Sequence, residues 1–247
     1  MLRSRVDMTC AELRTFTLLL WNDGMRGLST DDMATLGMVM RTNGLPLLRE
    51  MRLNDNSFGD PGTVALFKCM DGGSAPSLTM LDLGGIRFGT EGAKTLAAAL
   101  EKGAMPMLRE MILSANPMGR EGVAALTAPL RKLPLLANLY LDDCDVGDEG
   151  VASLVDKLGK DDFKALVCLG LAENRLTEVS CERLASAIDE DKMPALEQVT
   201  ICEHHKVVFA QSFEMQLHGA WVTQAIERAM ERRAGVPLAW SWPHPHP

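Results

Sequence analysis

Few residues in this chain are of types, and at spacings, that could do chemistry. Glu203-His204-His205, with Cys202 before them, is the densest group of metal-ligating side chains. Adjacent residues of an extended strand point to opposite faces, so that run cannot close around one ion, and no metal is expected. His244 and His246 alternate with prolines and suit adventitious metal contact at most. Gly84-Gly85 is a lone glycine pair and lacks the longer pattern that cradles phosphate. No Ser/His/Asp arrangement is present, and the carboxylates fall on separate segments with no apolar pocket to lift a pKa for acid–base work. The sequence therefore predicts a non-enzyme, with no catalytic residue and no cofactor.

What must position the remaining polar residues is a repeat. A common phrase restarts at Leu48, Leu78, Leu108, Leu136, Leu166 and Leu196, with steps of 30, 30, 28, 30 and 30 residues. It reads Leu48-x-x-Met51-x-Leu53-x-x-Asn56 in the first unit and Leu166-x-x-Leu169-x-Leu171-x-x-Asn174 in the fifth. The alternation of apolar and polar residues predicts a short strand with one buried face, stacked in parallel on its neighbours. Tandem units of this length form a solenoid.

A glycine pair follows at fixed spacing, Gly59/Gly62, Gly89/Gly92, Gly119/Gly122 and Gly147/Gly150, which predicts a turn into a closely packed helix. Thr177 and Ser180 replace the pair in the fifth unit, predicting a less tight turn there. Apolar residues then recur at helical intervals, as in Ala93, Leu96, Ala97 and Leu100. Pro46, Pro76, Pro106, Pro134 and Pro194 precede the strand-opening leucines, where an extended, helix-ending residue is wanted; Lys164 takes that place in the fifth strand. Pro129 lies inside the third helix and is expected to shorten or kink it. Asn56, Asn116 and Asn174 hold the ninth position, where a buried amide bonds the backbone of adjacent turns. Cys144 is a weaker substitute there, and Ile86 and His204 break the ladder.

These phrases resemble the leucine-rich repeat family, and the Gly-x-x-Gly-x-x-x-Leu continuation resembles its ribonuclease-inhibitor-like long-repeat subclass. The resemblance implies an α/β solenoid shaped as a curved horseshoe, with parallel strands on the concave face and helices on the convex face. It implies no single activity.

The units divide the chain into a degenerate N-terminal cap over 1–47, repeats over 48–201, a C-terminal cap over 202–234 and an extended tail over 235–247 that carries Trp240 and Trp242. Within the first cap, 31–41 aligns with the later helices and 13–18 reads as a degenerate strand. Divergent units at both ends read as caps, which counts against a fragment of a larger receptor. The six cysteines show no paired framework, which suits an intracellular, cytoplasmic protein. No apolar run reaches the roughly 20 residues of a membrane helix, so no membrane insertion is expected. A net charge of −8 argues against nucleic acid and favours a basic partner.

On the predicted concave face, the third, fifth and seventh positions bring forward Glu50, Glu110 and Asn138; Arg52, Asp82, Ile112 and Tyr140; and Asp142. Tyr140, the only tyrosine, would stand beside Ile112 among polar groups, the make-up of an interface anchor. The expected function is a protein-interaction module, or a scaffold subunit of a large assembly, that binds a protein through this face, with Trp240 and Trp242 as a docking tail. The alternative is a regulator of an enzyme, such as a GTPase activator, since part of the family works that way. Arg52 is the one cation at these positions.

Overall fold

A computed structural model describes residues 14–21, 27–42, 45–201 and 207–209, with Glu12, Ile226, Arg228, Ala229 and Arg232. Each unit gives three residues to one sheet: β1 (Leu18–Leu20), β2 (Glu50–Arg52), β3 (Met80–Asp82), β4 (Glu110–Ile112), β5 (Asn138–Tyr140), β6 (Cys168–Gly170) and β7 (Gln198–Thr200). These seven pair in chain order and in parallel, and β8 (Val207–Phe209) adds to β7 antiparallel. Helices α1 (Thr30–Arg41), α2 (Gly59–Phe67), α3 (Thr90–Glu101), α4 (Gly119–Lys132), α5 (Gly147–Val155) and α6 (Glu178–Asp189) return the chain between strands.

The core runs along the array. Met51, Leu81, Met111, Leu139, Leu169 and Val199 stand in register in the middle of the strands, and all are buried. Leu53, Leu83, Leu113 and Leu141 follow, each buried and each donating its amide to the next unit's strand at 2.9 Å. The helical stripes read from sequence are buried in every unit, as with Val151, Leu154, Val155 and Leu158. Burying one such side chain contributes on the order of 1.5–3 kcal/mol, and its partners belong to neighbouring units, so stability is shared along the stack.

The asparagine ladder is present. Asn116 Nδ2 donates to the carbonyls of Leu83 and Leu113, both at 2.8 Å, and its Oδ1 accepts from the Phe88 amide at 3.2 Å. Asn174 likewise bonds Leu141 O at 2.6 Å and accepts from Cys144 N at 2.8 Å. Ile86 makes no such bonds, and the Phe88 amide of its unit is satisfied by Asn116 of the next. His204 lies outside the described residues.

Three expectations are corrected. The N-terminal strand is Leu18–Leu20, not 13–18. Leu19 pairs with Met51, and Trp21 takes the place of Leu53 by donating to Arg52 O at 2.8 Å. The phrase is therefore Phe16-x-x-Leu19-x-Trp21, disguised by the bulk of its first and last residues. Pro129 does not shorten α4, which is the longest helix described at 14 residues. Tertiary bonds hold its end: Arg131 donates to the carbonyls of Ser153 and Asp156 at 2.6 and 2.9 Å.

The prolines before the strands are turn residues rather than extended ones. Leu48 N donates to Leu45 O, and Leu78, Leu108 and Leu196 repeat the bond, which puts proline second in a β-turn where its fixed φ fits. The fifth unit's turn is closed by side chains. Thr177 caps α6 by accepting from Val179 N, and Asp148 of the preceding unit accepts from Thr177 N at 2.9 Å and from the Ser180 hydroxyl. Burial acts to raise the Asp148 pKa, but its bonds to Ser180 and Thr177 hold it below the ordinary carboxylate value.

Asn116→Ala leaves the Leu83 carbonyl and the Phe88 amide buried without their partner, each costing roughly 1–3 kcal/mol, and leaves Leu113 O only the weak Cys144 Sγ donor at 3.3 Å. Urea unfolding should show a midpoint well below that of the unsubstituted chain, with the loss exceeding that of a control at the half-buried Asn54, Asn54→Ala, whose amide bonds the Asp55 carboxylate.

Candidate partner-binding face

The parallel register sets two continuous rows on the sheet face opposite the helices. One runs Leu18, Glu50, Met80, Glu110, Asn138, Cys168, Gln198; the other runs Leu20, Arg52, Asp82, Ile112, Tyr140, Gly170, Thr200. Side chains in a row sit one strand spacing apart, about 4.8 Å. The residues brought forward from sequence, Glu50, Arg52, Asp82, Glu110, Ile112, Asn138, Tyr140 and Asp142, are half-buried on this face. Leu18 and Leu20, which sequence reading did not place, extend it at the β1 edge and are 40% and 49% exposed.

Ile112 and Tyr140 are register partners, yet their side chains lean apart. A Cβ built on Gly170 would lie 2.9 Å from Tyr140 Cδ1, so the tyrosine ring lies over β6 in space that glycine leaves. A Cβ on Gly84 would lie 3.7 Å from Ile112 Cγ2, so isoleucine leans towards β3. The Tyr140 hydroxyl lies close enough to the Cys168 thiol for each to influence the other's ionisation. Cys168, which strand alternation puts on this face, is nevertheless only 5% exposed, and β6 is buried on both faces. The open part of the face therefore runs from the β1 edge to β5, with β2 to β5 carrying its polar residues. Gly170 beside the sole tyrosine was the sequence signal for this closure.

Electrostatics follow from burial and from missing counter-ions. Burial pushes the Tyr140 hydroxyl up to about 12, with Cys168, Glu110 and Asp142 adding to the effect. Burial likewise raises the Asp82 carboxyl above its ordinary value, although the Gly84 amide at 3.0 Å and the Arg52 charge oppose it. Asp142 is held in place by the Ala172 amide at 2.8 Å and the Ser114 hydroxyl at 3.1 Å. Arg52 pairs with Glu50 at 3.1 Å, and its Nε is a buried donor without a hydrogen-bond partner. Asp82, Glu110 and Asp142 form no ion pair among the described residues.

A sequence model described as Leucine Rich repeat matches residues 134–155. Among solved structures, the tropomodulin C-terminal domain from Caenorhabditis elegans is similar, with a TM-score of 0.51 and 14% identity over 66% of this chain and 92% of that one. No curated protein matches the chain in sequence. The architecture is that of a leucine-rich-repeat solenoid.

Among the solenoid's described residues, no group of three or more His, Cys, Asp or Glu side chains is arranged to hold a metal ion. No described helix is long and apolar enough to cross a membrane. Cys202 to His205, His244, His246, Trp240 and Trp242 lie outside the described residues.

Because Tyr140 is the only tyrosine, ultraviolet titration reports it alone. It should ionise near the raised value of about 12, and Gly170→Ala, which evicts the ring, should bring it back towards 10.0. Asp82 makes a second test. Its raised folded pKa means that the protonated form is the one folding favours, so any stabilisation is present in acid and lost as pH rises through that value. Asp82→Asn should raise the unfolding midpoint at neutral pH, with the gain disappearing in acid.

Proposed function

We propose that the solenoid is a non-enzymatic interaction module that takes a protein partner on the open sheet face of β2 to β5. The observation that carries this reading is the set Asp82, Glu110 and Asp142, which surrounds Ile112 and Tyr140 without a counter-ion among the described residues. Asp82 in particular is kept in a place where burial disfavours its charge. A carboxylate retained against its own solvation is better explained by something that binds it than by folding. Arg52 and Asn138 flank the set, and Tyr140 supplies a rigid aromatic surface at small conformational cost.

A basic partner suits this face and the net charge of −8, whether it acts singly or as part of a large assembly for which the solenoid is a scaffold subunit. The free Cys69, Cys144, Cys168 and Cys181 favour a reducing compartment, and we place the protein in the cytoplasm. The period near thirty residues and the helices of 9–14 residues favour the ribonuclease-inhibitor-like subclass. We retain the division into caps over 1–47 and 202–234, repeats over 48–201 and a tail over 235–247. The GTPase-activator reading gains nothing from Arg52, whose guanidinium is tied to Glu50.

The test is affinity capture from native extract with the full chain and with Tyr140→Ala/Asp142→Asn. The double substitution should abolish recovery of a partner that the unsubstituted chain retains, with far-ultraviolet dichroism unchanged. Equal recovery by both chains rejects this face.

A further inference from the structure

The turns that lead from helix to strand repeat a phrase that the sheet face does not use. Pro46-Leu47-Leu48-Arg49 leads into β2 and Pro106-Met107-Leu108-Arg109 into β4, while Pro76-Ser77-Leu78-Thr79 leads into β3 between them. Leu48 and Leu108 are buried in the core, and the residues on either side of each are exposed. The β-turn sets Leu47 and Met107 at its outer corner, 53% and 48% exposed and among the few large apolar side chains that the described residues leave open to solvent.

Stacking fixes how far apart these groups stand. The Thr79 amide donates to Arg49 O and the Arg109 amide to Thr79 O, both at 2.8 Å, so the strand spacing continues through these positions. Two spacings, about 10 Å, separate Arg49 from Arg109, and Leu47 stands about as far from Met107. The unit between them is recessed. Ser77 Oγ donates to Pro46 O at 2.8 Å and Thr79 Oγ1 to Arg49 O at 3.0 Å, so both short side chains fold onto the backbone of the preceding unit. What remains is a notch with an apolar knob and a guanidinium on each side.

The charge of this edge is opposite to that of the chain, whose net charge is −8. Arg41, Arg49, Lys68, Lys102 and Arg109 are exposed along it and form no ion pair among the described residues. Asp71 and Glu101 are the acids on the same turns. Arg41, Lys68 and Lys102 end or follow α1, α2 and α3, where the negative end of a helix favours a cation by itself. Arg49 and Arg109 stand ahead of strands, so that explanation does not reach them.

We propose that this notch takes an acidic amphipathic helix of a partner protein, with carboxylates on Arg49 and Arg109 and apolar side chains between Leu47 and Met107. Spacing selects the helix. Residues i and i+7 of a helix lie on one face about 10.5 Å apart, which matches the two-unit step. An extended segment presents one face every second residue, at about 6.6 or 13 Å, and matches poorly. Residues i+3 and i+4 fall between the two carboxylates on the same face, over the recess at Ser77 and Thr79. Each guanidinium offers a fork that fixes the direction of the carboxylate it takes. The notch is separate from Asp82, Ile112, Tyr140 and Asp142, and the proposal does not rest on what binds there.

Fluorescence anisotropy tests it with a labelled alanine-based helix carrying Glu at i and i+7 and Leu at i+3 and i+4, against the same composition in scrambled order. The ordered helix should bind the full chain saturably, and the scrambled one about tenfold more weakly. Arg49→Glu/Arg109→Glu and Leu47→Ser/Met107→Ser should each weaken binding about tenfold or more with the far-ultraviolet dichroism unchanged. Tyr140→Ala/Asp142→Asn should leave it unaltered. Absence of binding, equal binding of the two peptides, or affinity that survives the arginine substitutions overturns the proposal. So does displacement of the helix by phosphatidylserine vesicles that sediment the chain, which assigns the edge to a membrane surface. Where charge reversal disturbs the dichroism, Arg49→Gln/Arg109→Gln removes the charge without repulsion, and unchanged affinity in that variant overturns the notch.

Discussion

Every feature of this molecule depends on stacking between units. A single unit of about thirty residues buries few apolar side chains and cannot offset the entropy of ordering itself. In the array, Leu81 lies between Met51 and Met111, and the amides of Leu53, Leu83 and Leu113 are satisfied only by the strand that follows. The polar ties obey the same rule. Asn116 bonds its own unit and the one before, while Asp60 accepts the Gly89 and Gly92 amides of the next unit at 2.8 and 2.7 Å. Removing one unit therefore deprives two others of partners.

This stacking makes the sheet face a fixed grid. Parallel register places Glu110 beside Asn138 and Ile112 beside Tyr140 with no freedom to slip, because a one-residue shift would turn Met111 and Leu139 out to solvent. On such a grid the character of each site is decided by the size of the neighbouring residue. Gly170 lets the Tyr140 ring lie down and closes β6, whereas Gly84 gives Ile112 room on the other side. Two glycines thus set where the open face ends and how its only aromatic residue is held.

The helical side is less uniform, because its ties differ from unit to unit. Helices α2, α4 and α5 open at glycines with positive φ, whose amides donate to the next unit, as Gly59 does to Ile86 O at 3.0 Å. Helix α6 opens instead on a threonine cap held by Asp148. Arg131 reaches across to the carbonyls that end α5, where the chain turns away and leaves α6 partly uncovered.

The sequence by itself determined the repeat, the strand and helix faces, the asparagine ladder and which residues of β2 to β5 share the sheet face. All of these follow from periodicity, which reports burial directly. The first unit was misplaced because Phe16 and Trp21 stand where leucine was sought, although both are as apolar. Only the tertiary structure decided the lean of Tyr140, the burial of Cys168, the survival of α4 past Pro129, and the bridging roles of Asp60 and Asp148. Each of these rests on contacts between residues roughly thirty positions apart, and a local pattern can mark such positions as buried or exposed but cannot say what their side chains meet.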